Sequence, residues 1–117
     1  AAIAIPQYNA YKNKAKAKDL IGVARSCAAE IVTQAQVEDY FPVSEMGSCN
    51  GTLNDPGAYI PTASLNASVS DFNASNTNDF PVTISANGTI DGTSISYKAE
   101  CEIEENLNVK CSGVTKQ

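Results

Sequence analysis

Four cysteines are the residues whose chemistry follows most directly from their type and spacing. They stand at Cys27, Cys49, Cys101 and Cys111 without any Cys-x-x-Cys pair, in a chain that contains no histidine. A zinc site would therefore lack its usual ligand pattern. Two disulfides are favoured over free, buried cysteines. Because disulfides persist in oxidising compartments, we expect the folded domain in a periplasm or at a cell exterior.

Acidic residues at alternate positions form the second candidate for chemistry. Glu100, Glu102 and Glu104 would share one face of a strand and, with Asp91, could gather a hard cation such as calcium. A solvated face is favoured because the chain has no Asp-x-Asp-x-Asp-Gly loop. The chain also has no nucleophile elbow and no phosphate-binding glycine loop. We predict no metal, no cofactor and no enzymatic activity.

Basic residues near the start of the chain are the third candidate. Lys12, Lys14, Lys16 and Lys18 are spaced two apart. On a helix, two steps turn the chain by about 200°, so these lysines fall on two sides and form no single basic stripe. A solvated or intersubunit helix is favoured over a DNA-binding surface, and we predict no specific nucleic-acid partner.

Charge is distributed unevenly along the chain. Residues 1–25 contain five basic residues and one acidic residue, a net charge of +4, whereas residues 26–117 contain three basic and twelve acidic residues, a net charge of −9. The total of −5 opposes general binding to nucleic acid or to anionic membrane.

A long helix must position the lysines. Residues 7–39 have no interior proline and one glycine, Gly22, and they are rich in helix-forming residues. Apolar and small residues recur at steps of three and four, which predicts one stripe packed on a sheet. The stripe consists of Leu20, Ala24, Cys27, Ala28, Ile31 and Ala35.

The remainder of the chain predicts a loop followed by a sheet. Residues 44–78 are rich in Gly, Pro, Asn and Ser, which indicates a long loop with a short strand at residues 58–60. From residue 79 apolar residues alternate with polar ones, and Asn87 and Gly88 predict a tight hairpin turn. Two further alternating runs, residues 95–103 and 107–111, complete a predicted three-stranded antiparallel meander.

The last predicted hairpin brings two cysteines together. If its strands pair about Asn106, Cys101 and Cys111 are directly opposed, at a separation suited to a disulfide. A bridge from Cys27 to Cys49 would fasten the long loop to the helix. The chain is therefore predicted to be one α+β domain, with a long helix (1–39), an αβ-loop (40–78) and a sheet closed by a disulfide (79–117).

The opening residues Ala1-Ala2-Ile3-Ala4-Ile5-Pro6-Gln7-Tyr8, continuing into Tyr11, Lys12 and Lys14, closely resemble the end of the N-terminal signature of type IV pilins. The resemblance implies that a strongly apolar segment precedes Ala1 and that the fold is the pilin fold. Cys101 and Cys111 match the C-terminal cysteine pair of this family. The tryptophan that some members carry in this disulfide loop is absent, and Val109 stands near its place.

The function implied by this resemblance is that of a structural subunit, a homopolymer in an extracellular filament used for adhesion, motility or DNA uptake. The alternative is a minor pilin or a type II secretion pseudopilin. Partners would be identical copies and the assembly machinery of the inner membrane, with membrane contact only through the preceding segment. Basic helices would lie against acidic domains of adjacent subunits. The residues assigned to assembly are Ile3, Ile5, Pro6, Tyr8, Tyr11, Lys12, Lys14, Lys16 and Lys18.

Overall fold

The helical part of the chain ends earlier than its sequence predicts. The computed structural model describes residues 12–49, 51–54 and 56–117. Residues 12–16 are helical, a turn follows at residues 17–18, and helix α1 spans Asp19–Ala35. The predicted helix end at Asp39 is wrong. Glu38 and Asp39 follow α1, and acidic side chains oppose the partial negative charge at a helix C-terminus.

Among the described residues, eight strands form two antiparallel sheets. The smaller sheet pairs β1 (Tyr40–Pro42) with β4 (Asp71–Asn73). The larger sheet has the order β2-β3-β5-β6-β7, and the last strand, β8, also pairs with β6. Its strands are β2 (Thr52–Asn54), β3 (Thr62–Ala67), β5 (Val82–Thr89), β6 (Ser96–Ile103), β7 (Val109–Cys111) and β8 (Thr115–Lys116). The α+β prediction is confirmed at this level, with one helix packed on an antiparallel sheet.

The core lies between α1 and the two central strands of the larger sheet. Strands β5 and β6 bury every second residue, and Ala86 stands opposite Ala99 in their register. These short side chains leave room for the helix to approach the sheet. The helix buries the residues of the predicted stripe together with Ala17 and Val23, while Ala35 is only half-buried.

The predicted turn at Asn87–Gly88 is wrong, because both residues lie inside β5. The chain reverses instead at residues 90–95, where Gly92 has a φ of +76° and the Ile90 amide donates to the Ile95 carbonyl. A Cβ atom on Gly88 would lie 2.7 Å from Cγ2 of Ile60 and 3.1 Å from Cδ2 of Leu20. This glycine therefore allows close packing within the core rather than a turn.

The segment predicted as a loop, residues 44–78, contains strands β2, β3 and β4. The predicted strand at residues 58–60 is absent from the structure of this described stretch. Strand β3 pairs with β5 over five residues, so the larger sheet is not a three-stranded meander. The alternation in β3 is weak because its inward residues include the small Ala63 beside Leu65.

Both predicted disulfides are present. Cys101 stands opposite Cys111 in the register of β6 and β7, with their Cα atoms 4.0 Å apart. Cys27 of α1 is bonded to Cys49, with Cα atoms 4.8 Å apart. No helix within the described ranges combines the length and apolar character needed to cross a bilayer.

Candidate functional site

The four lysines lie in the first described part of the chain, before the helix reaches the core. We call residues 12–18 the basic segment. Lys12, Lys14 and Lys18 are exposed, and Lys16 is half-buried. The Lys16 Nζ atom lies 5.2 Å from the centre of the Tyr59 ring, a cation–π contact. Three of the four ammonium groups thus face solvent.

The helical hydrogen bonding tightens at the junction between the basic segment and α1. The amide of Lys18 donates to the carbonyl of Ala15, Leu20 to Ala17, and Ile21 to Lys18, all bonds to the third preceding residue. This is the pattern of a 3₁₀ turn. Ala17 is the first described residue that is fully buried, so the geometry changes where the helix meets its core.

Five of the residues assigned to assembly lie outside the described residues: Ile3, Ile5, Pro6, Tyr8 and Tyr11. Their predicted role, and those of Lys12, Lys14, Lys16 and Lys18, stay predictions.

Beyond the other end of α1, the smaller sheet presents an aromatic and acidic surface. Tyr40 is 59% exposed and Val37, which follows the helix, is 77% exposed. The Tyr40 hydroxyl donates to Oδ2 of Asp71 across the sheet at 3.1 Å. This hydrogen bond to a carboxylate, reinforced by the charge of Asp71, raises the pKa of Tyr40 above its ordinary value.

A groove of about 390 Å³ runs beside Tyr40. We call it the acidic groove. It is lined by Tyr40, Ser68, Val69, Ser70, Asp71, Asn73, Asn76 and Asp79. The Oδ1 atoms of Asn73 and Asn76 accept hydrogen bonds from the amides of Ser75 and Asn78, which fixes these loops around the groove. In this described part of the chain, the groove carries two carboxylates and no basic side chain.

An aromatic cluster behind the smaller sheet holds the groove in place. Phe41 and Phe72 are opposite each other in the register of β1 and β4, and their rings stack at 5.1 Å between centroids. Phe80 meets Phe72 edge-on at 5.7 Å. Because Phe41 and Phe72 point inward, Tyr40, Asp71 and Asn73 point outward.

A separate set of contacts holds the start of the connecting chain against α1. The Cys27–Cys49 bond joins the helix to a 3₁₀ turn at Gly47–Cys49. The adjacent Glu30 carboxylate accepts a hydrogen bond from the Ser48 amide at 3.0 Å. These contacts hold the 3₁₀ turn at Gly47–Cys49 against the side of α1.

Two of the three alternating glutamates, Glu100 and Glu104, form ion pairs. Lys98 Nζ lies 2.9 Å from Oε1 of Glu100, and Lys110 Nζ lies 2.8 Å from Oε1 of Glu104. The hydrogen bond to Glu104 raises the pKa of Lys110. Across the described ranges, no group of three or more histidine, cysteine, aspartate or glutamate residues is placed to hold a metal ion.

Sequence reasoning did not identify the acidic groove. Its two walls come from β1 and β4 and from the chain near Asp79, and the Tyr40–Asp71 bond spans 31 positions. The triplets Tyr40–Pro42 and Asp71–Asn73 each place a phenylalanine between exposed or half-buried residues, a pattern too short to predict that the two strands pair.

Comparison with known proteins yields no match to a protein-family model, a curated protein or a solved structure.

Proposed function

We infer that this chain is a structural subunit of a type IV pilus, which polymerises through its N-terminal helix into an extracellular filament. The observation that supports this most is a helix that extends beyond its own core. Residues 12–16 are helical, yet none of them is buried. A short helical segment outside the protein's own core is only marginally stable by itself, so packing against other molecules would stabilise it.

The sequence ahead of the basic segment suits such an environment. Ala1, Ala2, Ile3, Ala4 and Ile5 are all apolar, and they carry the resemblance to the pilin signature. Neighbouring helices in a filament core would cover residues of this kind. The helix packed on an antiparallel sheet and the disulfide between Cys101 and Cys111 agree with the plan implied by that resemblance.

In this role the partners are identical copies and an assembly machinery of the inner membrane. The disulfides favour an oxidising location, so the domain would face the periplasm before assembly and the exterior afterwards. Filaments made of this subunit would serve adhesion, motility or DNA uptake.

Immunogold labelling of fibres sheared from cells that express the chain tests this proposal. We expect label along the whole fibre, and loss of fibres when the gene is deleted. Label confined to one tip would assign the chain to a minor pilin instead. Unlabelled fibres that persist after deletion would contradict both roles.

A pair of variants tests the part played by the N-terminal segment. Ile3→Asp/Ile5→Asp places two charges in the segment assigned to the filament core, and we expect it to abolish fibres because buried unpaired charges are costly. The control, Ser75→Asp/Ser94→Asp, adds the same charge at exposed positions of the domain and should preserve fibres. Equal fibre yields from the two variants would contradict assembly through the N-terminal helix.

A further inference from the structure

The outer face of the smaller sheet is an unpartnered surface with an unusual composition. Within the described residues, the large apolar side chains that remain exposed are Val37, Tyr40 and Tyr59. Val37 follows the end of α1 by two residues, and Tyr40, in β1, lines the acidic groove. An exposed aromatic ring next to carboxylates is a common arrangement for contact with a cation.

The hydrogen bonds already made within the groove determine which ligand groups it can bind. Oδ2 of Asp71 receives the Tyr40 hydroxyl, so the other oxygen of this carboxylate is available as an acceptor. Asp79 supplies a second carboxylate, while Val69 and the Tyr40 ring supply apolar surface. A cation on a flexible aliphatic stem, as in lysine, matches both the charge and the apolar wall.

The chain carries such cations at its other end. Lys12, Lys14 and Lys18 are exposed, and the two ion pairs of the described residues, Lys98–Glu100 and Lys110–Glu104, do not involve them. The 17-residue helix α1 separates the basic segment from Tyr40. At 1.5 Å per residue this is about 25 Å, which is too far for the two surfaces to meet within one molecule.

We propose that the acidic groove receives lysine side chains from the basic segment of a second copy of this chain. The contact is heterologous, because the groove of one copy meets the basic segment of the next. Contacts of this type generate open chains when the rotation between copies does not close a ring. This inference rests on the proposed filament function, for which it specifies one intersubunit contact.

The Lys16–Tyr59 contact supports the chemistry. In that contact an ammonium group already lies over a tyrosine ring at 5.2 Å within one copy. Tyr40 offers a similar ring with two added carboxylates nearby, which would strengthen attraction for an ammonium group.

Complementary charge reversal tests the proposal on the full chain. The groove-reversed variant is Asp71→Lys/Asp79→Lys, and the segment-reversed variant is Lys12→Glu/Lys14→Glu. Sedimentation velocity at low salt should show self-association of the wild type and a loss of at least about tenfold in association constant for each variant alone. Mixing the two variants should restore association, because the reversed groove of one meets the reversed segment of the other.

A second pair of variants separates the groove from net charge. Asp71→Asn/Asp79→Asn neutralises the groove, whereas Asp91→Asn/Glu105→Asn makes the same charge change at exposed positions elsewhere. We expect only the first to weaken association. Unchanged thermal unfolding midpoints would show that each variant is folded, and any variant that does not fold would be replaced by the single substitution Asp79→Asn.

Several results would overturn the proposal: no self-association of the wild type, equal losses from both neutralised pairs, or no recovery on mixing. Binding of a small lysine analogue in the groove, without self-association of the chain, would assign the groove to a free cation instead. If the Asp71→Asn/Asp79→Asn variant forms fibres as well as the wild type does, this contact is contradicted and the filament function is preserved. Groove-dependent association of a chain that is never found in fibres would support this contact and contradict the filament function.

Discussion

Two regions of this molecule are stabilised by different kinds of core. Between α1 and strands β5 and β6, the buried residues are mainly aliphatic side chains and alanines. The connecting region, residues 40–79, also buries aliphatic residues such as Ile60 and Leu65, but its smaller sheet depends on aromatic contacts. All three phenylalanines of the chain, Phe41, Phe72 and Phe80, meet in one cluster that joins the smaller sheet to the chain entering β5.

The free energy gained by burial is therefore distributed differently in the two places. Around α1 it is spread over many small and medium-sized side chains that recur with a helical or strand period. At the smaller sheet it is concentrated in three large rings. Single substitutions should therefore have their largest effects in the connecting region, although it contains the less regular secondary structure.

Truncation of the central ring tests this contrast most severely. Phe72 is fully buried between two other rings, so Phe72→Ala should lower the free energy of unfolding by about 3–5 kcal/mol. Ile84→Val, at a fully buried position of the main core, should cost only about 0.5–1.5 kcal/mol. Urea unfolding of both variants measures the two values, and a loss below the Ile84→Val value would show that the smaller sheet opens independently.

Removal of the disulfide at the start of the connecting region should have the next largest effect. Cys27 and Cys49 are separated by 22 positions, and Cys101 and Cys111 by 10. On the chain-entropy model, Cys27→Ala/Cys49→Ala should cost about 3.4 kcal/mol and Cys101→Ala/Cys111→Ala about 2.7 kcal/mol. Denaturant unfolding without reductant compares them, and a larger loss from the C-terminal pair would reverse the expected order.

Overpacking tests the main core. Gly88→Ala would place a Cβ atom against Ile60 and Leu20, and we expect a loss of about 1–3 kcal/mol. Gly22→Ala is the matched control, since this exposed helical glycine has no atom within 4 Å of an added Cβ. It should stabilise the protein by up to about 1 kcal/mol. Similar thermal midpoints for both variants would show that the core relaxes around Gly88.

The smallest effect is expected from titration at the acidic groove. The Asp71 carboxylate favours the protonated form of Tyr40, so this contribution to stability is present below the ordinary tyrosine pKa and is lost as pH rises through the higher pKa of the folded state. The difference in phenolate absorbance between wild type and Tyr40→Phe isolates this group. Asp71→Asn should return the pKa of Tyr40 towards its ordinary value, whereas Asp79→Asn should change the pKa of Tyr40 less. The opposite order would contradict Asp71 as the cause of the shift.

Periodic features were predictable because each is encoded within a short stretch of sequence. The helical stripe from Leu20 to Ile31, the alternation in residues 95–103 and the opposition of Cys101 and Cys111 all follow from local spacing. Gly88 was misinterpreted because glycine serves both turns and close approaches. Only the position of Ile60, distant in sequence, distinguishes the two uses.

Non-local pairing explains what the sequence did not predict. Strand β3 has a weak alternation and becomes recognisable only through its partner β5. The acidic groove depends on the register that places Phe41 opposite Phe72. No local pattern specifies that register, so Tyr40 and Asp71 could not be assigned to one surface in advance.

The arrangement of strands β7 and β8 determines how much of one side of β6 is open to pairing with another molecule. Strands β7 and β8 divide one side of β6 between them, the first at Cys101–Ile103 and the second at Tyr97–Lys98. Together they occupy backbone groups that would otherwise invite intermolecular β-pairing. The disulfide secures only β7, so fraying of β8 would leave the backbone groups of β6 near Tyr97 unpaired. Strand β8 thus shortens the stretch of β6 that is open to pairing with another chain.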